Sequence, residues 1–391
     1  MICLKDTVIK KCKYCDFLSY PAPEDEQETY VSLLLTEIEK QSLFYGNYQV
    51  ISVFIGGGTP SVLEGKAIET ILCKLKEKFN FIKNPEITIE VNPGTVTEDK
   101  LAIYLQSGIN RLSIGLQTAD DNELMTLGRV HDYNTFLCTY ELARKLGFRN
   151  INIDLISAIP GQNYLSYSET LNKTLALEPE HISAYSLILE EGTWFYEHRA
   201  ELAFPTEDED RQLYELTGAM LAKYNYNRYE ISNYAKKGYE CIHNKTYWLR
   251  GNYVGFGLGA ASLVDEVRWS NKRTVKEYEE ALRKKSEHKK CKEQSISPER
   301  LSQARTQLGE NVQYLSKEEQ MEEFMFLGLR LMQGVEKKIF KSKFGVPIED
   351  IYGETLEKLR QEALIIEDES IRLTPRGIDV SNYVMSEFLF N

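Results

Sequence analysis

Short apolar runs alternate with longer amphipathic stretches through the first half of the chain, and this alternation constrains the fold more than any other feature. The helical stretches include YVSLLLTEIEKQSLF, AIETILCKLKEKF, YNTFLCTYELARKLGF and YSETLNKTLALE. The strand-like runs are VISVFIGG (50–57), EITIEVN (86–92), RLSIGLQ (111–117), NINIDLIS (150–157) and HISAYSLI (181–188). A strand, a helix and a second strand at this spacing predict a parallel sheet, either doubly wound or closed into a barrel.

The residues that end each run are candidates for a binding site, because loops after the carboxyl ends of parallel strands surround the ligand in such folds. The first run continues into GGGTP (56–60), which lets a ligand approach bare backbone amides, although a tight turn explains these glycines equally well. Polar residues at or after the other ends are Glu90, Asn92, Gln117, Arg129, His131 and Asp154. One such residue is commonly a satisfied core hydrogen bond, but several in register favour a site for a polar, nucleotide-like cofactor.

A pair of cysteines, Cys12 and Cys15, stands near the start of the chain in CKYCDF. This C-x2-C spacing is typical of metal ligands. A third thiolate four residues before Cys12 would complete a C-x3-C-x2-C triplet, but that position is Val8. The sequence therefore predicts a metal site that lacks one of its usual ligands.

The charge and the distribution of cysteines exclude several classes of protein. The net charge of -12 argues against a nucleic-acid partner, and the basic run RKKSEHKKCK from Arg283 is expected to be a solvated surface. The seven cysteines are scattered, and Lys5, Asp6 and Lys10 stand where a signal peptide needs an apolar stretch. We therefore expect no disulfides and a cytoplasmic protein. No window approaches the roughly 18 apolar residues that a membrane-spanning helix needs, so we expect no integral membrane protein.

Seven motifs occur in the order and spacing of a known family, namely CKYCDF, GGGTPS, EVNPG, RLSIGLQT, LGRVH, NIDLISAIPGQ and AYSLILEEGT. Over residues 9–391 the chain resembles the radical S-adenosylmethionine (SAM) proteins of the oxygen-independent coproporphyrinogen oxidase-like group. HNKTYW (243–248), followed by YVGFGLGAAS, resembles the signature of the haem chaperone branch of that group. The oxidases carry a fourth cysteine shortly after the triplet, where this chain has Asp16 and Phe17.

The resemblance implies a 4Fe-4S cluster and SAM as cofactors. In this family three thiolates hold the cluster, and SAM chelates the iron that they leave open. By resemblance, Cys12 and Cys15 take the second and third ligand positions. The positions that would bind SAM are Gly57, Gly58, Thr59, Glu90, Gln117, Arg129 and Asp154. No catalytic residue is assigned.

The resemblance also implies a haem site at His243, Asn244, Tyr247 and Trp248, with the imidazole as an axial ligand to iron. The alternative is an aromatic corner that packs a loop on the barrel, since tyrosine and tryptophan bury well whatever they bind.

The segment before Cys12 departs from the family. Members begin with a strand that reads roughly tyrosine-x-histidine-x-proline-phenylalanine, and the corresponding positions here are Ile2, Leu4, Asp6, Thr7 and Val8. Replacement of the whole block favours a changed start of the reading frame, or a truncated relative, over gradual loss of one ligand. Cys3 stands nine residues before Cys12 and would reach a cluster only if the segment looped. With two thiolates a cluster is expected to be labile.

The implied fold is α/β, a partial six-stranded (β/α) barrel with an incomplete first strand and a helical, winged-helix-like C-terminal domain. We expect a barrel core (1–190), a barrel-covering segment with HNKTYW (191–262), a charged helical connector (263–318) and the C-terminal domain (319–391). That domain should contain two or three helices and a short hairpin around Asp368 and Glu369. Its methionines Met321, Met325 and Met332 are expected to pack in a core rather than to act as soft ligands.

The predicted function is that of a haem chaperone, which binds haem and hands it to an acceptor protein of the respiratory system. A coproporphyrinogen oxidase-like enzyme is the first alternative, disfavoured by HNKTYW and by the missing fourth cysteine. A cluster-deficient relative that only binds haem is the second. The sequence leaves open whether any radical reaction turns over, and so whether the chain is an enzyme.

Overall fold

The computed structural model describes residues 2–3, 11–16, 23–283 and 309–390. Six strands of its main sheet are parallel, and they are β1 (Ile2–Cys3), β2 (Gln49–Gly56), β3 (Asn80–Val91), β4 (Arg111–Gln117), β5 (Ile151–Ser157) and β6 (His181–Ser186). They lie side by side in chain order. This confirms the predicted α/β class and the six-stranded parallel arrangement.

The first strand is described over two residues only, Ile2 and Cys3. Its two residues pair with Ile55 and Gly56 at the end of β2. The positions of the replaced block at Leu4, Asp6, Thr7 and Val8 lie outside the described residues.

Eight α-helices accompany the sheet over residues 23–223. Each connection between two consecutive parallel strands, from β1 to β6, contains at least one of them. They are α1 (Glu24–Tyr45), α2 (Gly65–Lys78), α3 (Glu98–Gln106), α4 (Asp121–Leu127), α5 (Tyr133–Leu146), α6 (Tyr164–Ala176), α7 (Trp194–Glu197) and α8 (Glu207–Lys223). Side chains cap several helix starts, as where Asp132 accepts a hydrogen bond from the backbone N–H of Thr135. Gly147 ends the same helix with a φ of 110°, a left-handed conformation that suits glycine.

The two faces of the parallel sheet differ in chemistry, because side chains alternate along each strand. In β4, Leu112, Ile114 and Leu116 belong to one face, and all three join the main apolar core with the helices. Arg111 and Ser113 belong to the opposite, inner face and are also buried. The inner face is therefore a buried polar surface, which leads from one end of the strands to the other.

Two antiparallel strands that the sequence analysis did not predict extend the sheet. They are β7 (Asn227–Glu230) and β8 (Asn233–Ala235), and β8 pairs with β6. Beyond them, the helix α9 (Ile242–Trp248) contains HNKTYW.

The connector predicted as helical over 263–318 is only partly so. A separate antiparallel sheet consists of β9 (Ala261–Val264), β10 (Val267–Asn271) and β11 (Gly309–Tyr314), with the helix α10 (Val275–Arg283) between the last two. The tight turn between β9 and β10 places Asp265 and Glu266 at φ values of 51° and 64°. The sequence shows neither Gly nor Asn at this turn, so its usual signal is missing. Residues 284–292 of the basic run lie outside the described residues.

The C-terminal part has its own apolar core. Its helices are Lys317–Gly328, Lys337–Phe344, Ile348–Gln361, Pro375–Asp379 and Ser381–Ser386, and its strands are Val335–Glu336, Ile365–Glu367 and Ser370–Leu373. The last two strands form the predicted hairpin around Asp368 and Glu369. Met321 and Met325 are buried in this core. The predicted domain boundaries stay a prediction. In the described ranges no helix has the length and apolar character to cross a membrane.

Candidate functional site

A cavity of about 360 Å³ opens at the carboxyl ends of the parallel strands. Its walls come from the inner face of the sheet and from the loop at residues 11–16. The predicted site residues that line it are Cys12, Cys15, Gly58, Thr59, Glu90, Gln117, Arg129 and Asp154. Gly57 lies beside it and donates its backbone N–H to Glu90 Oε2 at 3.1 Å. We refer to this space as the strand-end cavity.

Two carboxylates on the inner face give the strand-end cavity its electrostatic character. Burial, followed by the negative charge of Asp154, raises the pKa of Glu90 to about 8. Burial also raises the pKa of Asp154, against hydrogen bonds donated by Asn152 Nδ2 at 2.8 Å and Ser113 Oγ at 3.0 Å. A ligand with a cationic group or a hydroxyl donor would therefore offset the cost of burying these two acidic side chains.

Arg129 connects the cavity wall to the cysteine loop. Its Nη2 donates to Asn92 Oδ1 at 2.9 Å and to the carbonyl oxygen of Gly115 at 3.1 Å. Its Nη1 lies 3.6 Å from the sulfur of Cys12. Asn92 in turn donates from Nδ2 to Thr59 Oγ1 at 2.9 Å. Arg129 therefore links the cysteine loop to the ends of β3 and β4.

The glycines of the turn are needed because the backbone packs closely against Glu90 and because one of them has a positive φ. A Cβ atom on Gly56 would stand 2.8 Å from Glu90 Oε2, so a side chain there would displace the carboxylate. Gly57 has a φ of 88°, which residues with a side chain rarely adopt. The turn therefore brings the backbone N–H of Gly57 against the Glu90 carboxyl group at the cavity edge.

Two polar atoms of residues that line the strand-end cavity lack a partner among the described residues, namely Gln117 Oε1 and Arg129 Nε. Gln117 has a φ of 72°, and its buried Oε1 accepts no hydrogen bond. A buried acceptor without a partner costs about 1–3 kcal/mol, so a ligand that donates to it gains affinity. With the two carboxylates, this acceptor fits the amino and hydroxyl groups of a nucleoside-like ligand such as SAM.

The donor set for an iron-sulfur cluster is incomplete in the described residues. Neither Cys12 nor Cys15 is in a disulfide bond, and the loop that carries them is held by hydrogen bonds from Lys13 N to Leu127 O and from Phe195 N to Lys13 O. Within the described ranges, no group of three His, Cys, Asp or Glu side chains could hold a metal ion. Val8, Phe17 and the side chain of Cys3 lie outside what the structure describes. Two thiolates do not match the three that the resemblance implies.

A second cavity, of about 210 Å³, lies along β2 near its amino-terminal end and near the start of β3. Apolar and aromatic residues predominate in its walls, among them Tyr45, Val53, Phe79, Phe81, Tyr253 and Phe256. His243 and Tyr247 of α9 also line it. We refer to this space as the aromatic cavity.

The structure divides the HNKTYW motif between two environments. His243 and Tyr247, four residues apart on one face of α9, meet edge to face at 4.9 Å between ring centroids. Asn244 and Trp248 do not line the aromatic cavity. Trp248 instead packs under the guanidinium of Arg330, whose Cζ lies 4.3 Å from the indole centroid. The predicted haem residues are thus brought together on one helix, but only two of the four face a cavity.

His243 is buried, and burial lowers its pKa to about 2, so its imidazole is neutral at ordinary pH. The ring stacks on Phe54 with centroids 4.9 Å apart and an interplanar angle of 19°. Its Nδ1 lies 3.5 Å from Ser52 Oγ. A neutral imidazole beside an apolar cavity is the form that binds a metal.

Polar residues in the middle of the strands were missed by the sequence analysis, which considered only strand ends. A line of hydrogen bonds runs along the inner face from Asp154 through Asn152 to His181 and Tyr229, with His181 Nδ1 donating to Asn152 Oδ1 at 2.6 Å. Glu86 of β3 lies on the same face of the sheet and accepts hydrogen bonds from the first backbone N–H groups of α9. Their signal was the alternation of polar and apolar residues in EITIEV and NINIDL.

Comparison with known proteins gives matches over nearly the whole chain. The Radical SAM superfamily matches residues 9–173, and the HemN C-terminal domain matches residues 315–380. The protein named heme chaperone HemW in Bacillus subtilis (strain 168) is 35% identical over 97% of this chain and 96% of its own length. The HemW of Lactococcus lactis subsp. lactis is 34% identical over 97% of this chain and 94% of its own length.

Among solved structures, the coproporphyrinogen III oxidase HemN from Escherichia coli matches with a TM-score of 0.82. The alignment covers 99% of this chain and 88% of that chain, at 21% sequence identity. At this identity the likeness concerns the fold alone.

Proposed function

We infer that this chain, which belongs to the HemW family of haem chaperones within the radical SAM superfamily, binds haem and passes it to an acceptor protein. The observation that carries the proposal is the position of His243, a neutral imidazole in the wall of an apolar, aromatic cavity. Haem iron is commonly held by such a histidine, and the porphyrin face packs well against aromatic side chains.

The dimensions of the aromatic cavity support transfer rather than permanent storage. Its volume of about 210 Å³ is below the roughly 300–1,000 Å³ of pockets that enclose a drug-sized ligand. It would enclose an edge of the macrocycle and leave the rest exposed to an acceptor. We propose His243 and Tyr247 as direct haem contacts, with Asn244 and Trp248 supporting the helix.

We propose the strand-end cavity as the SAM site, held by Glu90, Gln117, Arg129 and Asp154 and by the glycine turn with Gly57, Gly58 and Thr59. When bound together, a 4Fe-4S cluster and SAM supply radical chemistry through reductive cleavage of the sulfonium. Cys12 and Cys15 are the proposed cluster ligands. This set has one thiolate fewer than the three that the resemblance implies. Cys12, Cys15, Cys73, Cys138 and Cys241 form no disulfide bond, which supports a reducing, cytoplasmic setting.

Reciprocal variants test the proposal. His243→Ala should weaken the binding of haemin, followed by its absorption near ~400 nm, and should leave the binding of SAM by equilibrium dialysis unchanged. Asp154→Asn should weaken the binding of SAM and leave haemin binding unchanged. Equal haemin affinity of the parent and of His243→Ala would exclude the imidazole as a ligand.

The oxidase alternative gains no support beyond the shared fold. We expect that the anaerobically prepared protein, supplied with SAM and a reductant, leaves coproporphyrinogen III unchanged. Formation of protoporphyrinogen would establish the oxidase activity and overturn this part of the proposal.

A further inference from the structure

We propose that Glu86 and Ser52 are positioning residues for the His243 imidazole, and that they present Nε2 of its ring to the haem iron. This inference rests on the proposed haem function and extends it to two residues outside the HNKTYW motif. Glu86 fixes the backbone from which the imidazole projects, and Ser52 fixes the ring.

Glu86 binds three consecutive residues at the start of α9. Its Oε1 accepts the backbone N–H of His243 at 3.0 Å, and its Oε2 accepts the backbone N–H of Ile242 at 3.0 Å. The thiol of Cys241 also lies 3.5 Å from Oε1.

These contacts provide hydrogen-bond acceptors for backbone N–H groups at the start of α9, which have none within the helix. The first backbone N–H groups of a helix have no partners within it, and Cys241 at the N-cap makes no side-chain capping bond. The Glu86 carboxylate is buried on the inner face of the sheet and serves both N–H groups at once. A charged acceptor at a helix start is also favoured by the helix dipole. The position of His243 is therefore set by a strand, not by its own loop.

Ser52 acts on the other side of the ring. It stands on β2, two residues before Phe54, so both side chains are on the same face of the strand. Phe54 stacks on the imidazole, and Ser52 Oγ lies 3.5 Å from Nδ1. A metal-bound histidine usually donates its other ring N–H to a neighbouring acceptor. With Nδ1–H directed to Ser52, Nε2 is the nitrogen that binds iron.

The test uses the intact chain and haemin as the probe. Glu86→Gln keeps the shape of the side chain but replaces one of the two acceptor oxygens by an N–H donor. Ser52→Ala removes the ring partner, and Ser52→Thr keeps the hydroxyl. Glu123→Gln is the matched control, because Glu123 is also buried and accepts three hydrogen bonds, from Thr118, Gln162 and Ser166. Thermal melting of every variant reports its folding.

We expect Glu86→Gln and Ser52→Ala each to weaken haemin binding by about 10-fold or more, the usual effect of removing a group that orients a metal ligand. At saturating haemin their Soret bands should move toward that of His243→Ala. Ser52→Thr and Glu123→Gln should match the parent in affinity and in Soret position. A purely structural role would lower the melting temperature without moving the Soret band.

The outcomes separate this inference from the proposed function. If the parent binds no haemin, or His243→Ala binds it as the parent does, the proposed function fails. If His243→Ala loses binding while Glu86→Gln and Ser52→Ala keep the parent's affinity and Soret band, only the positioning role is overturned. If Glu86→Gln does not fold, the Ser52→Ala and Ser52→Thr pair decides, and an unchanged spectrum in Ser52→Ala overturns the inference.

Discussion

Glu90 is the residue whose ionisation should be most visible in the stability of the protein. Its pKa in the folded chain is about 8 against an ordinary value of 4.5, because burial and the nearby Asp154 disfavour its charge. The folded state therefore holds this proton more tightly than the unfolded state. The contribution to stability is complete below about pH 4.5 and is lost as the pH rises through about 8.

Glu90→Gln removes this dependence, since an amide does not ionise and its oxygen can still accept the N–H of Gly57. We predict that the variant gains melting temperature relative to the parent as the pH is raised from 5 to 9, whereas the two are similar at pH 5. Glu37, whose pKa burial raises to about 7, titrates in both proteins and cancels from the difference. A constant difference at all pH values would contradict the assignment.

Val8 stands at the position where the resemblance implies the first cluster ligand. We predict that Val8→Cys, which restores a C-x3-C-x2-C triplet, retains about four irons per chain after anaerobic reconstitution, as a 4Fe-4S cluster requires. The parent should retain fewer, because two thiolates leave two irons without protein ligands. Iron and acid-labile sulfide analysis measures this directly. Four irons in the parent would mean that a further ligand, such as Cys3, completes the site.

At the scale of the elements, α9 is tied at its far end to the C-terminal domain. Arg250, whose side chain is 1% exposed, donates from Nε to Glu323 Oε2 at 2.8 Å. Glu323 Oε1 also contacts Arg268 Nη1 at 2.7 Å. Together with the packing of Arg330 on Trp248, this buried ion pair connects the HNKTYW helix to the helix Lys317–Gly328.

Glu323→Ala should lower the free energy of unfolding by about 2 kcal/mol, because it removes one of the two carboxylates that contact the buried guanidinium of Arg250 and leaves only Glu266. Glu318→Ala, on the exposed part of the same helix, is the control and should change it by less than about 0.5 kcal/mol. Urea denaturation gives both values. A small effect of Glu323→Ala would mean that water replaces the carboxylate and that the connection is weak.

The elements that could be predicted well from the sequence are those in which apolar and polar residues alternate with a clear period. The parallel strands and their helices alternate in hydrophobicity, and each of the five strand-like runs falls within a strand or overlaps one. Strands β7 and β8 are four and three residues long and polar at most positions, which is too short for a period to appear. The hairpin around Asp265 lacked the glycine or asparagine that such a turn usually shows.

At the scale of the whole molecule, the site residues separate into two groups at different ends of the sheet. Strand-end positions such as Glu90 and Asp154 could be predicted because the topology of parallel strands brings their carboxyl ends together. The aromatic cavity could not, since its walls combine the start of β2, the end of α1 and the loop at Tyr253, which are far apart in the chain. Glu86 was missed for the same reason, because its partners lie about 156 residues away.

The position of haem iron tests the central claim of a haem site at His243 most directly. Crystals of the haem-loaded chain, measured at the iron absorption edge, give an anomalous peak at the metal. We predict one peak beside the His243 ring, at the roughly 2.0–2.1 Å expected of a metal–imidazole bond, with the porphyrin against the aromatic cavity. A haem iron placed instead in the strand-end cavity, or away from α9, would contradict the account.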